Sequence, residues 1–296
     1  MRFTLLMGCF LLLPAFASPQ EKRDPDGPES ILTELAKAFK DDRTVEQIKK
    51  DNALIRAAAK GDADAIRKAL KDGARINSRY IDGYAFLDEG ESGYTALMFA
   101  VLNKRTDAIK LLIENKADLE VKHHEGWTAL YLAVTGDNKE AVDMLVKAGA
   151  KQDATKIRLA HELIRAACKG FKLRDGEGFP PNPGGFGPPG PVLREVSKKP
   201  LPADQLGDPS DIAKVLDKKA DINMPDPKGY TPLMYAANLG LVENVKTLLA
   251  KGADATLKSA DGETALSLAE PGGIMFRLEE RRQVVKVLKE HLAKKR

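Results

Sequence analysis

A unit of 33 residues recurs along this chain. Gly93-Tyr94-Thr95-Ala96-Leu97 returns as Gly126-Trp127-Thr128-Ala129-Leu130, and Gly229-Tyr230-Thr231-Pro232-Leu233 returns as Gly262-Glu263-Thr264-Ala265-Leu266. A second signature recurs at Lys71-Asp72-Gly73-Ala74, Lys147-Ala148-Gly149-Ala150 and Lys251-Gly252-Ala253-Asp254. A fixed period of this size demands a solenoid, because each unit is too small to bury an apolar face alone and must stack on its neighbours. Stacked units offer an extended surface to another macromolecule and rarely enclose a catalytic pocket.

Each unit reads as a helix pair. Ala96 to Leu102 crowds apolar residues into a short first helix, and Asp107 to Ile113 makes a second with one apolar stripe at i, i+3, i+4 spacing. Thr95, Thr128, Thr231 and Thr264 stand where a side-chain oxygen caps the first helix, and Pro232 takes a first-turn position where its missing N–H costs nothing. Gly73, Gly149 and Gly252 follow the second helix, where a left-handed residue ends it. A helix pair, a Gly stop and a polar hairpin complete one turn of an all-α array.

These residues resemble the ankyrin repeat, whose pattern runs Thr-Pro-Leu-His, then Ala-Ala, then Gly-Ala-Asp. The Thr and Leu match throughout, while the Pro survives only at Pro232. Met98, Tyr131, Met234 and Ser267 replace the His, so packing is expected to stand in for its hydrogen bonds. Lys116 and Lys219 replace the stop Gly, at a cost on the order of 1 kcal/mol in the left-handed region. The resemblance implies an ankyrin-type α-solenoid of about six helix-turn-helix repeats over 52–296, with two insertions. Repeat four is split, its first helix around His161 to Ala167 and its second at Asp211 to Leu216. Residues 29–51 are expected to form capping helices, and the basic helix around Arg281 to Glu290 caps the other end.

Residues 1–17 read as a secretory signal: Arg2, an apolar core from Phe3 to Leu13, and Ala15-Phe16-Ala17 as the cleavage site. Leu6-Met7-Gly8-Cys9 offers a competing reading as a lipoprotein site with Cys9 lipidated. Residues 18–28 read as a disordered lead. Cleavage after Ala17 takes basic residues from 47 to 46 against 43 acidic ones, a net charge of +3. That balance argues against nucleic acid and anionic membrane surfaces. Cys168 then stays alone, so no internal disulfide forms. A leader without a disulfide points to a periplasmic or secreted bacterial protein, at the membrane only if Cys9 carries lipid.

The candidate binding residues form a column. Tyr94, Trp127 and Tyr230 share one register, which in proteins resembling this family lies on the hairpin side of the concave face. Large aromatics dominate interface energetics; the competing reading has them packing on neighbouring hairpins. Leu102, Asn103, Asn238 and Leu239 supply a second row. The insertion at 80–90 adds Tyr84 and Phe86 among acidic residues, as a docking finger or as packing on its own repeat. The insertion at 171–207 holds eight prolines and seven glycines, a composition of extended polyproline segments and hinges. Its formal Gly-x-Gly-x-x-Gly lacks the preceding strand and following helix that phosphate binding needs.

No catalytic constellation emerges. His123 and His124 are adjacent, are expected to diverge, and read as solvated hairpin residues rather than as metal ligands. Cys168 reads as an inert, partly buried thiol; an exposed one could pair with another molecule. The expected function is non-catalytic binding of another protein, without cofactor or metal. A structural or lipid-anchored envelope scaffold is the alternative.

Overall fold

In a computed structural model the described residues are 43–80, 93–168, 209–270 and 278–294. The chain divides into two compact units, 1–45 and 46–296. The first lies almost wholly outside the described residues, as do Tyr84, Phe86 and the insertion at 171–207. The second holds the repeats.

Among the described residues, six helix pairs follow one another. They are α1 (Val45–Lys60) with α2 (Ala63–Lys71), α3 (Ala96–Leu102) with α4 (Thr106–Glu114), and α5 (Ala129–Thr135) with α6 (Lys139–Lys147). Then come α7 (Ala154–Cys168) with α8 (Pro209–Asp217), α9 (Pro232–Asn238) with α10 (Val242–Ala250), and α11 (Ala265–Ala269) with α12 (Leu278–Lys294). First helices pack in the order α3, α5, α7, α9, α11, and each lies against its own second helix. Among the described residues no strand forms, only the isolated bridge between Arg79 and Thr95. The expected boundary at residues 51–52 falls inside α1, which runs unbroken from the capping segment into repeat one. Buried Asp51 in that helix accepts from Arg75 N at 2.7 Å and Ser78 Oγ at 2.6 Å, tying down the loop after α2.

Local chemistry fixes the short helices. Seven residues make a marginal helix, and each is held by a Thr cap. Thr95, Thr128, Thr231 and Thr264 accept the N–H of Met98, Tyr131, Met234 and Ser267 at 3.1–3.3 Å; each such cap contributes about 1 kcal/mol. Two of the residues replacing the family His also bond back. Ser267 Oγ accepts from Thr264 N at 2.9 Å, and Met234 Sδ from Thr231 N at 3.5 Å. Packing therefore does not simply take over, because a hydroxyl or thioether placed one turn into the helix still reaches the cap N–H. Lys116 and Lys219 adopt φ 65° and 66°, in the left-handed region that their positions require.

Repeats are tied by side chains that reach the end of the preceding first helix. Arg105 Nε donates to Ala59 O at 3.2 Å, Asn138 Nδ2 to Val101 O at 3.1 Å, and Asn244 Nδ2 to Ala167 O at 2.9 Å. Asn138 and Asn244 are buried, so these bonds satisfy helix-end carbonyls that water cannot reach. At the last junction, buried Arg281 donates to Asn238 O, Leu268 O, Ala269 O and Glu270 O at 2.6–3.3 Å.

Repeat four departs from the rule. Thirteen positions separate Gly252 from the start of α11, and only five separate Gly149 from the start of α7. The hairpin is replaced by helix: α7 has 15 residues where α3, α5 and α9 have 7. Eight extra residues lengthen it by about 12 Å. Asp153 Oδ1 caps it, accepting from Thr155 N at 2.9 Å and Lys156 N at 3.1 Å. The buried apolar residues change allegiance along α7, with Ile157 in the core of repeats one to three and Leu163 in that of repeats four to six.

Candidate binding site

Repeats with a hairpin build it alike. His123 N donates to Trp127 O, Asp226 N to Tyr230 O, and Ser259 N to Glu263 O, at 2.8–2.9 Å. The Gly before each aromatic or Glu carries positive φ, 89° at Gly126 and 85° at Gly229, which lets the turn close. Consecutive hairpins are joined by Arg79 Nη2 to Lys122 O at 2.9 Å and by Ala260 N to Lys228 O at 2.8 Å. Because repeat four has none, hairpin five leans directly on hairpin three. Pro227 packs so closely that a Cβ on Gly126 would meet its carbonyl oxygen at 3.0 Å. Lys228 pairs with Glu125 and lies 5.9 Å from the Trp127 ring centroid.

The aromatic column lies mostly inside this packing. Tyr94 is 0% exposed and Trp127 5%, whereas Tyr230 is half-buried. His123, packed against both of the first two, makes the difference. Its ring lies 4.2 Å from that of Tyr94 and 4.7 Å from that of Trp127, nearly parallel to the indole at 4°, while the Tyr94 and Trp127 rings themselves lie 6.4 Å apart. This three-ring cluster buries both side chains and leaves Tyr94 and Trp127 almost no surface to offer, which corrects their assignment as contact residues. Of that column only Tyr230 reaches solvent, its hydroxyl donating to Glu263 Oε2 at 3.3 Å.

The second row is divided too. Leu102, Asn103 and Leu239 are half-buried at the ends of α3 and α9. Asn238 is buried, with its carbonyl capped by Arg281, so that side chain is withdrawn from any surface. Cys168 is fully buried, which pushes its thiol up to about 12 and keeps it protonated.

His123 is likewise no solvated hairpin residue, at 3% exposure; His124 is exposed. Nor do the two diverge. Their rings approach to 3.8 Å, and ligand atoms of His123, His124 and Glu125 lie within 4.8 Å of one another. His123 and Glu125 are engaged elsewhere: His123 Nδ1 accepts Glu125 N–H at 3.3 Å, and Glu125 pairs with Lys228.

The skipped hairpin leaves a cavity of about 230 Å³ between hairpins three and five, floored by α7. Ile157, Ala160 and Ile164 form its apolar wall, Tyr131, Gln152, His161 and Asp226 its polar part, and exposed Lys122 lies at its edge. Asp226 Oδ1 accepts from Lys228 N at 2.9 Å and Tyr230 N at 2.8 Å, and Oδ2 from Tyr235 Oη at 2.7 Å. Burial nevertheless holds its carboxyl above the usual carboxylate range, those bonds opposing the rise. Burial, with the Asp226 charge second, raises the Tyr131 phenol; burial, with Arg165 second, lowers His161 to about 4. Sequence reasoning missed this group. Its signal was the short step from Gly149 to α7.

Residues 26–123 and 54–156 match the family described as ankyrin repeats (3 copies), and residues 215–269 match ankyrin repeats (many copies). The chain belongs to the ankyrin-repeat family. The two matched regions leave 157–214 between them, the stretch in which repeat four is split. This ankyrin-repeat chain is similar to the DNA-binding protein RFXANK of Homo sapiens, 46% identical over 52 residues, 18% of this chain and 20% of that protein. It is similar to a putative ankyrin repeat protein of Rickettsia bellii, 47% identical over 55 residues, 19% of this chain and 33% of that one. It also resembles ankyrin repeat family A protein 2 of Homo sapiens, 40% identical over 83 residues, covering 25% and 26%. The chain thus spans between a fifth and a third of these relatives. Ankyrin repeats indicate a scaffold for protein–protein interaction, and ankyrin-repeat proteins are generally non-catalytic.

Proposed function

We propose that this chain is an exported, non-catalytic scaffold that holds one partner protein on the concave face of its stacked repeats. The observation that carries the reading is the set of half-buried residues presented by repeats two, three and five. Leu102 and Asn103 on repeat two, Tyr131 on repeat three, and Tyr230 with Leu239 on repeat five stand on helices fixed by buried polar ties. Such a surface is organised before it binds, so little entropy is lost on association. Half-buried Tyr and Leu side chains supply apolar area without the cost of exposing a large patch.

The test is affinity capture with crosslinking in the native host, with wild type beside a Tyr230→Ala/Leu239→Ser variant. Tyr94 and Trp127 are left intact because their loss would damage the core. A protein enriched by wild type and lost by the folded variant supports the surface. Equal enrichment by both moves the contact elsewhere, and no enriched protein overturns the scaffold reading.

Export is supported by Arg2, the apolar run from Phe3 to Leu13 and Ala15-Phe16-Ala17. Intact-mass analysis of the protein from its host tests it. A chain beginning at Ser18 supports export, one beginning at a lipid-bearing Cys9 supports the anchored scaffold, and an unprocessed chain opposes both.

A further inference from the structure

The cavity left by the missing fourth hairpin carries more than packing. Its volume, about 230 Å³, falls below the roughly 300–1,000 Å³ of sites for small organic ligands and suits one inserted side chain. The walls and the polar groups divide as such a side chain would need. Ile157, Ala160 and Ile164 offer apolar contact to a methylene stem.

The polar groups are only partly spent. Asp226 receives three hydrogen bonds, and a carboxylate has about four acceptor positions, so Oδ2 keeps capacity for another donor. The ammonium of Lys228, two residues away, is turned to Glu125 rather than to Asp226. Among the described residues no ion pair forms on Asp226, although the Lys228 charge still acts on its carboxyl from two residues away. Among the described residues, the Tyr131 hydroxyl and the His161 imidazole make no hydrogen bond within the chain, and both line the same cavity. A neutral imidazole and a phenol oxygen can each accept a hydrogen bond. An anion would meet the Asp226 carboxylate head-on. A cation would supply the missing charge and donate to all three acceptors.

We propose that this cavity is a socket for one arginine or lysine side chain projected by a partner protein, its cationic end on Asp226 Oδ2 beside Tyr131 and His161. The proposal rests on the scaffold reading for the source of that side chain, but its chemistry is independent of any partner. A guanidinium fits best, since its planar fork satisfies several acceptors at once.

The full chain, labelled with ¹⁵N, is titrated with N-acetyl-arginine methylamide, its lysine counterpart, and the citrulline analogue as a neutral isostere. The expected result is a saturable shift confined to residues 152–164 and 224–230 with the cationic probes, and binding at least about tenfold weaker with citrulline, the order of loss when a charged hydrogen-bonded pair loses its charge. Asp226→Asn, which keeps an acceptor for the Lys228 and Tyr230 amides, should lose the cationic preference. Citrulline binding as well as arginine, cationic probes giving no saturable shift, or Asp226→Asn retaining the preference would each overturn the socket. The citrulline comparison needs only wild-type protein, so it decides even if the variant fails to fold. Partner capture that succeeds while the cationic probe fails would leave the scaffold standing and remove only the socket.

Discussion

The hydroxyl of Tyr235 reaches Asp226 Oδ2 at 2.7 Å, joining the middle of α9 to the base of its own hairpin across nine residues. Tyr235 is buried, and Asp226 lines the cavity beneath hairpin five. This bond decides how hairpin five stands, and hairpin five closes the space over α7.

Tyr235→Phe should therefore destabilise the protein by about 1–3 kcal/mol at neutral pH, the cost of leaving a half-buried acceptor short of its donor. Burial raises the Asp226 carboxyl, so folding favours its neutral form more than the unfolded chain does. The stability associated with this group is present below its unfolded value and is lost as pH rises through the higher folded value. The penalty in Tyr235→Phe should accordingly shrink as the carboxyl protonates. Urea unfolding at neutral and acid pH measures both.

His161 works in the opposite direction. Its pKa falls from 6.5 to about 4, because burial and, less, Arg165 disfavour the imidazolium. Stability due to the neutral ring is fully present above 6.5 and is lost as pH falls from 6.5 towards 4. The loss amounts to about 3 kcal/mol at 1.36 kcal/mol per unit. His161→Gln should flatten the stability profile across this window, read by thermal or urea unfolding against pH.

Trp127→Ala should unfold the middle of the array rather than spare it. Removing the indole from the Tyr94, His123 and Trp127 cluster should cost roughly 3–5 kcal/mol, as for other large aromatics removed from a core. Tyr230→Ala, at a half-buried site, should cost far less. Paired denaturant melts of the two variants check the contrast.

Lys116→Gly and Lys219→Gly should each stabilise by up to about 1 kcal/mol, since glycine relieves the left-handed strain while adding freedom to the unfolded chain. The angles of 65° and 66° mark the sites. A shift of the unfolding midpoint with unchanged m-value confirms the origin.

Arg281→Met should cost about 3 kcal/mol or more, because four carbonyls at the ends of α9 and α11 lose their donor together. Amide hydrogen exchange should then quicken first in α12.

The repeat period, the Thr caps, the Gly stops and the helix pairs were legible from the chain alone. They depend on contacts within a few residues, and those contacts are written in local spacing. The left-handed Lys116 and Lys219 were legible for the same reason. What lay beyond reach was decided between repeats. Nothing in the Gly-Tyr-Thr or Gly-Trp-Thr signature says that His123 will pack against both Tyr94 and Trp127 and turn an expected contact column into core. The short step from Gly149 to α7 is visible in the sequence. Its consequence, hairpin five crossing a vacant place to rest on hairpin three, follows only when α7 is two turns longer and its neighbours stack against it. Sequence determined the units because backbone hydrogen bonds and caps are local. Tertiary structure decided which aromatics were buried and where a cavity opened, because burial belongs to the stacked array and not to any one repeat.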